Sequence, residues 1–193
     1  MKVCVLFSGG VDSMYLANRA IEDGCRPVLL HIVYHHPAAA YEHAAAMQWA
    51  ARNADRISSL ECLTVPVYAK ALAQGVGEEG PRYVPGRNDL FVAVAVNQAA
   101  AHGCGQIWIG ATAEDTGYPD CRPEWVREKS KQARRWHMDV RAPIICMTRK
   151  QIAEKAWRRG YDMGGAWSCY QPNPVTLKPC GTCNSCTQGG SNE

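Results

Sequence analysis

The sequence has few long apolar runs, and the longest, such as Val28–Val33, fall far short of the roughly 18 residues a membrane-spanning helix needs. Residues 1–7 carry neither a long apolar segment nor a small-residue cleavage site, so no secretory leader is read there. Internal repeats and low-complexity tracts are missing. A strong charge of one sign is missing too: 21 Lys+Arg against 18 Asp+Glu leave +3, which argues against a nucleic-acid partner. The basic clusters at Arg127–Lys131 with Arg134–Arg135, and at Arg158–Arg159, read as solvated helix faces. What remains is a soluble, cytoplasmic globular chain of 193 residues, 47% apolar and 20% charged, sized for one domain and a small appendage.

Strand and helix signals alternate along the chain. A β-rich run, Lys2–Phe7, leads through a glycine turn into a helix over Asp12–Asp23 with Gly24 at its C-cap. The continuous apolar run Pro27–Tyr34 has the character of a central parallel strand covered on both faces. A helix over Ala39–Ala54 and a strand over Leu60–Val67 follow, then a Gly/Pro-rich loop over residues 74–88. Next come a helix over Asp89–His102, stopped by Gly103, and a strand over Gln106–Ala111. Within that helix, Val92–Ala101 reads as buried or as a dimer interface. Beyond the polar loop Thr112–Arg122, a helix over Pro123–Asp139 and a strand over Ala142–Met147 are expected. The last helix opens with a capping box, Thr148-x-x-Gln151. The alternation argues for an α/β doubly wound parallel sheet over residues 1–160, with ligands at the carboxyl ends of the strands. Residues 161–193 lose helical periodicity and form a separate cysteine-bearing segment.

Ser8-Gly9-Gly10-Val11-Asp12-Ser13 follows the first strand and opens the first helix. Two glycines let backbone approach an anion, two hydroxyls add donors, and the helix N-terminus adds unpaired N–H groups. Asp12 would repel a phosphate unless a divalent cation lay between them, which implies Mg²⁺. The lysine of a G-x-x-x-x-G-K-[ST] loop is absent. Placed so, the hexapeptide resembles that of the PP-loop ATP pyrophosphatases, which cleave ATP to AMP and pyrophosphate and adenylate an oxygen that a nucleophile then displaces. The resemblance assigns ATP binding to Phe7, Ser8, Gly9, Gly10, Val11, Asp12, Ser13, Met14, Tyr15, Leu16 and Ala17, with Asp12 and Ser13 catalytic.

Near the end stand Cys169, Cys180, Cys183 and Cys186, three of them at C-x-x-C spacing around Pro179 and Gly181. Two intervening residues let paired thiolates reach one ion, and four thiolates suit tetrahedral Zn²⁺ with no position open for catalysis. An Fe–S cluster and reactive thiols are the alternatives. A structural zinc would order residues 161–186, which have too little apolar content to order themselves.

Two further motifs, Val84-Pro85-Gly86-Arg87-Asn88 and Gly117-Tyr118-Pro119-Asp120-Cys121-Arg122-Pro123-Glu124, lie between these. The four motifs, in this order over nearly the whole chain, resemble the 7-cyano-7-deazaguanine synthase family. The resemblance implies that 7-carboxy-7-deazaguanine is adenylated by ATP, aminated with ammonia to the amide, adenylated again and converted to the nitrile, in a homodimeric enzyme of the queuosine route. Arg87 and Asp120 are the remaining catalytic candidates. Arg87, Asn88, Tyr118, Asp120, Arg122 and Glu124 form the substrate-binding set: an arginine suits a carboxylate or phosphate, Tyr118 suits stacking on the ring, and Asp120 or Glu124 suits the N1–H and 2-amino edge. The chain departs from the family at Tyr34-His35-His36-Pro37, where Tyr-Gly-Gln-x-His is usual. A relative that stops at the amide, or acts on another carboxylate or on a protein, is the alternative; a tRNA sulfur-transferring enzyme is a more distant one.

Overall fold

The computed structural model describes residues 2–68, 84–115, 117–173 and 175–188; most of the Gly/Pro-rich loop, residues 69–83, lies outside the described residues. Five strands, β1 (Val3–Leu6), β2 (Val28–His35), β3 (Ser59–Tyr68), β4 (Gln106–Trp108) and β5 (Asp139–Arg141), form one sheet in the order β3-β2-β1-β4-β5. Every pairing is parallel. Among the described residues the helices are α1 (Val11–Glu22), α2 (Ala39–Arg52), α3 (Arg87–His102), α4 (Pro123–Ala133), α5 (Arg149–Arg158) and the short α6 (Asn184–Gln188). Successive strand side chains point to opposite faces. Val3 and Val5 therefore pack with Leu16 of α1, Trp49 of α2 and Ile152 of α5, whereas Cys4 and Leu6 pack with Val92 of α3 and Val126 of α4. Both faces are covered, as a doubly wound sheet requires.

The strand order grows outward in two directions from β1, so the connections diverge between β1 and β4. Such a switch point opens a crevice at the carboxyl ends of the two strands. There β1 runs into the glycine loop, and β4 ends at Trp108; Ile109 keeps one last ladder bond, its N–H to Arg141 O at 2.9 Å, before Gly110 and Ala111 line the crevice.

The expected order of elements holds with one displacement. The helix read over Pro123–Asp139 stops at Ala133, followed by a single 3₁₀ turn at Arg134–Trp136 and by His137 in a left-handed conformation, φ 59°. The fifth strand is then Asp139–Arg141, paired with Gln106–Trp108, and not Ala142–Met147. The apolar run 142–147 contains Pro143, which cannot donate to a ladder. It folds as consecutive turns, Ile145 N–H to Ala142 O at 3.1 Å and Met147 N–H to Ile144 O at 2.8 Å, that bury Ile144. The Thr148 capping box forms as expected, with Gln151 N–H donating to Thr148 Oγ1 at 3.3 Å and Thr148 N–H to Gln151 Oε1 at 3.0 Å. No helix among the described residues is long and apolar enough to cross a membrane.

Candidate functional site

The glycine loop is held open by its own hydroxyls. Gly9 N–H donates to Ser13 Oγ at 3.1 Å, Gly10 N–H to Ser8 Oγ at 3.2 Å, and Ser13 Oγ–H to Gly10 O at 2.9 Å. Gly10 is the N-cap of α1, and no side chain caps that terminus, so its positive end faces the crevice. Gly9 has φ +85°, and a Cβ there would come within 2.7 Å of Glu42 O and 2.8 Å of Ala46 N on α2. Only glycine fits between the loop and α2.

A cavity of about 390 Å³ opens at this point. Phe7, Ser8, Gly10, Val11, Asp12 and Ser13 line it. Asp12 Oδ1 is buried without a hydrogen-bond partner. Burial pushes the Asp12 carboxyl up to about 7, Arg149 opposing and Asp115 and Glu114 adding to the rise. A buried, unpaired carboxylate oxygen at a helix N-terminus fits a divalent cation, which would satisfy it. Arg149 binds Glu114 Oε2 at 3.0 Å and Asp115 Oδ1 at 3.2 Å, and Asp115 also accepts from Thr112 N–H and Oγ1–H.

The two middle motifs meet in the same cavity. Arg87, in the first turn of α3, donates from Nη1 to Tyr34 Oη at 3.1 Å and from Nε to Asn88 Oδ1 at 3.3 Å. Its guanidinium carbon lies 5.8 Å from the Tyr34 ring centre and 5.9 Å from that of Phe91. Asp120 is buried, 5% exposed, and burial raises its carboxyl pKa against the pull of Arg87. Tyr118, Asn88 and Cys121 also line the wall, with Asn88 Nδ2 3.7 Å from Cys121 Sγ. Burial pushes the Cys121 thiol up to about 12, so it is no thiolate at neutral pH.

The four C-terminal cysteines converge: their Sγ atoms all lie within 4.8 Å of one another, a cluster that could hold a metal ion. Backbone N–H groups of Cys180 and Cys183 point at Cys169 Sγ (3.2 Å) and Cys180 Sγ (3.4 Å), and Gly181, φ +74°, makes the C-x-x-C turn. Such N–H···S contacts stabilise thiolates, so the donor set fits a tetrahedral metal. The segment is anchored to the body through Asp162. Asn18 Nδ2 and Trp49 Nε1 donate to its carbonyl at 2.9 and 2.7 Å, and Arg52 and Asn53 to its carboxylate. It also closes the cavity, contributing Trp167, Ser168, Tyr170 and Ser185.

Not every expected residue reaches the cavity. Met14, Tyr15, Leu16 and Ala17 are core residues, none more than 1% exposed. Glu124 is on the surface, paired with Arg127 at 2.8 Å, and Arg122 occupies the N-cap position of α4. Conversely, Tyr34, Glu42, Phe91 and Arg149 line the cavity without having been read as site residues. Arg149 carried a signal: a cation in the first turn of α5, which has no acidic residue there, opposes the helix dipole.

The chain is similar to known proteins in sequence and in fold. The family model described as queuosine biosynthesis protein QueC matches residues 2–190. A 7-cyano-7-deazaguanine synthase of Sphingopyxis alaskensis is 36% identical over 95% of this chain and 89% of its own length. One of Geobacter metallireducens is 33% identical over 96% and 85%. Among solved structures, a 4-thiouridine synthetase in complex with RNA and ATP matches with TM-score 0.58 and 18% identity, over 93% of this chain and 45% of its own. The NMN synthetase of Francisella tularensis matches with TM-score 0.55 and 13% identity, over 95% and 70%. At those identities the structural likeness is one of fold.

Proposed function

The chain belongs to the QueC family of queuosine biosynthesis proteins, and from that premise we propose that it uses ATP to convert 7-carboxy-7-deazaguanine and ammonia to 7-cyano-7-deazaguanine. The observation that carries this reading is the shared cavity: the glycine loop with the unpaired Asp12 Oδ1 and the Arg87–Asn88, Tyr118–Asp120 cluster line one space.

In this account the uncapped N-terminus of α1 holds the phosphates of ATP, with Ser8 and Ser13 fixing the loop through the N–H groups of Gly10 and Gly9. Asp12 holds Mg²⁺, which when bound would neutralise the departing pyrophosphate. Arg87 pairs with the substrate carboxylate and directs one oxygen at the α-phosphorus; pyrophosphate leaves and an acyl-adenylate remains. Asp120 accepts from the N1–H and 2-amino edge of the base, Asn88 supplies a donor and an acceptor, and Tyr118 stacks on the ring. Ammonia displaces AMP to give the amide. A second ATP adenylates the amide oxygen, and departure of AMP leaves the nitrile. The enzyme is thus a carbon–nitrogen ligase that consumes two ATP. Arg122 and Glu124, outside the cavity, take no role in holding the substrate.

Cys169, Cys180, Cys183 and Cys186 would hold a structural Zn²⁺, which when bound would order residues 161–186; with all four ligands supplied by the protein, it would take no part in bond making. The division into a nucleotide-binding body, 1–160, and a cysteine segment, 161–193, belongs to the same reading, as do a cytoplasmic homodimer and substrates confined to small molecules. The test is release of pyrophosphate from ATP upon addition of 7-carboxy-7-deazaguanine. Release that does not depend on this compound would assign the site to another substrate.

A further inference from the structure

Beside the glycine loop, two ionisable groups line the cavity that no binding role above employs. Glu42 Oε2 lies 3.7 Å from His36 Nε2, with side chains 17% and 5% exposed. The backbone of Glu42 abuts Gly9, which places its side chain next to the phosphate loop. The His36 ring stacks on Tyr34, centroids 4.2 Å apart at 26°, and Tyr34 Oη accepts from Arg87. Among the described residues the charged and titratable groups facing the pair are Arg87 from α3, His31, Tyr34 and His35 from β2, and Tyr170, which faces Tyr34, from the cysteine segment. His43 of α2 neighbours His31 at 5.2 Å. Burial lifts the Glu42 carboxyl to about 7 against the pull of Arg87. Burial, with Arg87, His31 and His35, holds His36 down at about 4, so its imidazole is neutral.

Amination needs proton acceptors at this place. Ammonium must lose one proton before its nitrogen can attack the acyl carbon. Once the C–N bond forms and the C–O bond breaks, with the electron pair leaving on AMP, the nitrogen must lose a second. Nitrile formation removes two more as the second AMP departs.

We propose that Glu42 and His36 are the acceptors of these nitrogen-bound protons, the Glu42 carboxylate taking the first and the His36 imidazole the second. Each then releases its proton to water. At 3.7 Å the two are farther apart than a hydrogen bond, so transfer between them needs a small approach or a bridging water. This role rests on the adenylation reading above.

The experiment separates the two half-reactions in the zinc-loaded full chain. Adenylation is followed as a single turnover of pyrophosphate release with ATP and 7-carboxy-7-deazaguanine, without ammonium. Amination is followed as amide and nitrile formation at saturating ammonium from about pH 6 to 9. Glu42→Gln should lose amination by about 100-fold or more, a typical general-base contribution, while adenylation falls far less and certifies the fold. Hydroxylamine, which is unprotonated at neutral pH, should restore most of the variant's turnover. The wild-type amination profile should break near 7 and lose that break in the variant, and His36→Gln should show a smaller loss. Amination unaffected by Glu42→Gln overturns the role, as does adenylation that falls in step with amination or a failure of hydroxylamine to rescue. Wild-type protein releasing no pyrophosphate with this carboxylate overturns the substrate reading and the proton role with it, a result unlike the others.

Discussion

The backbone N–H of Trp167 donates to the carbonyl of Gly9 at 2.9 Å, which ties the cysteine segment directly to the phosphate loop. The tie is reinforced on both sides. A Cβ on Gly10 would lie 3.2 Å from Trp167 O, and the Trp167 indole N–H donates to Cys169 O at 2.8 Å while its ring stacks on Tyr41 at 4.5 Å. Cys169 belongs to the four-thiol cluster that could hold a metal ion, so a single residue, Ser168, separates that cluster from the residue that braces the loop.

Metal loss should therefore be felt at the nucleotide. Stripping the metal with a chelator, or the change Cys183→Ser, is expected to weaken ATP binding by about tenfold, which is about 1.4 kcal/mol. Titration calorimetry with parallel metal analysis reads both quantities. Equal affinity in metal-free and metal-loaded protein would uncouple the segment from the loop.

Gly9→Ala should be among the most damaging single-methyl changes in the chain. It combines a left-handed φ with backbone contacts of 2.7 and 2.8 Å. The conformational part costs about 1–2 kcal/mol and the overpacking about 1–3 more. Gly24→Ala, also at positive φ but with nothing within 4 Å, carries the conformational part alone. Paired thermal melts should show the larger drop for Gly9→Ala.

Asp12→Asn should separate stability from chemistry. The wild-type protein buries a carboxylate oxygen with no partner, an arrangement suited to binding and costly in its absence. The neutral amide is expected to raise the stability of the ligand-free protein by about 1 kcal/mol and to abolish pyrophosphate release. A variant both less stable and fully active would remove Asp12 from the nucleotide site.

Arg87→Ala should cut pyrophosphate release by about 100-fold while leaving metal content unchanged. Arg87→Lys should rescue poorly, because the guanidinium serves Tyr34 and Asn88 at once and a lysine cannot reproduce that fork. Wild-type turnover in either variant would place substrate recognition elsewhere.

The His36–Glu42 pair also leaves a mark on stability against pH. His36 is held at about 4 in the folded chain against 6.5 ordinarily, so between those values the unfolded state binds the extra proton and acid destabilises the fold. Glu42 is held at about 7 against 4.5, so there the folded state keeps a proton the unfolded state has lost, and stability falls as pH rises from 4.5 to 7. His36→Gln should thus gain on wild type near pH 5 and Glu42→Gln near pH 8. Urea titrations at the two pH values check the crossing.

Legibility from sequence followed how local each signal was. The glycine loop between Leu6 and Val11, the Thr148 capping box and the four cysteines are set by residues a few positions apart, and all appear where their spacing placed them. The fifth strand was illegible because three residues carry no period, and its pairing with β4 is the only thing that makes Asp139–Arg141 a strand. Glu42 and Arg149 were missed for a related reason. Each stands on an ordinary amphipathic helix and becomes part of the site only when that helix docks beside the glycine loop. Met14–Ala17, read with the loop because they follow it, turn inward as α1 proceeds and belong to the core.

The most direct measurement is one incubation of purified protein with ATP, Mg²⁺, ammonium and 7-carboxy-7-deazaguanine, with products identified by mass spectrometry and AMP counted. The account expects the nitrile with two AMP for each molecule formed. Amide accompanied by one AMP would mean that the reaction stops after the first activation, and no AMP with this carboxylate would contradict the central claim.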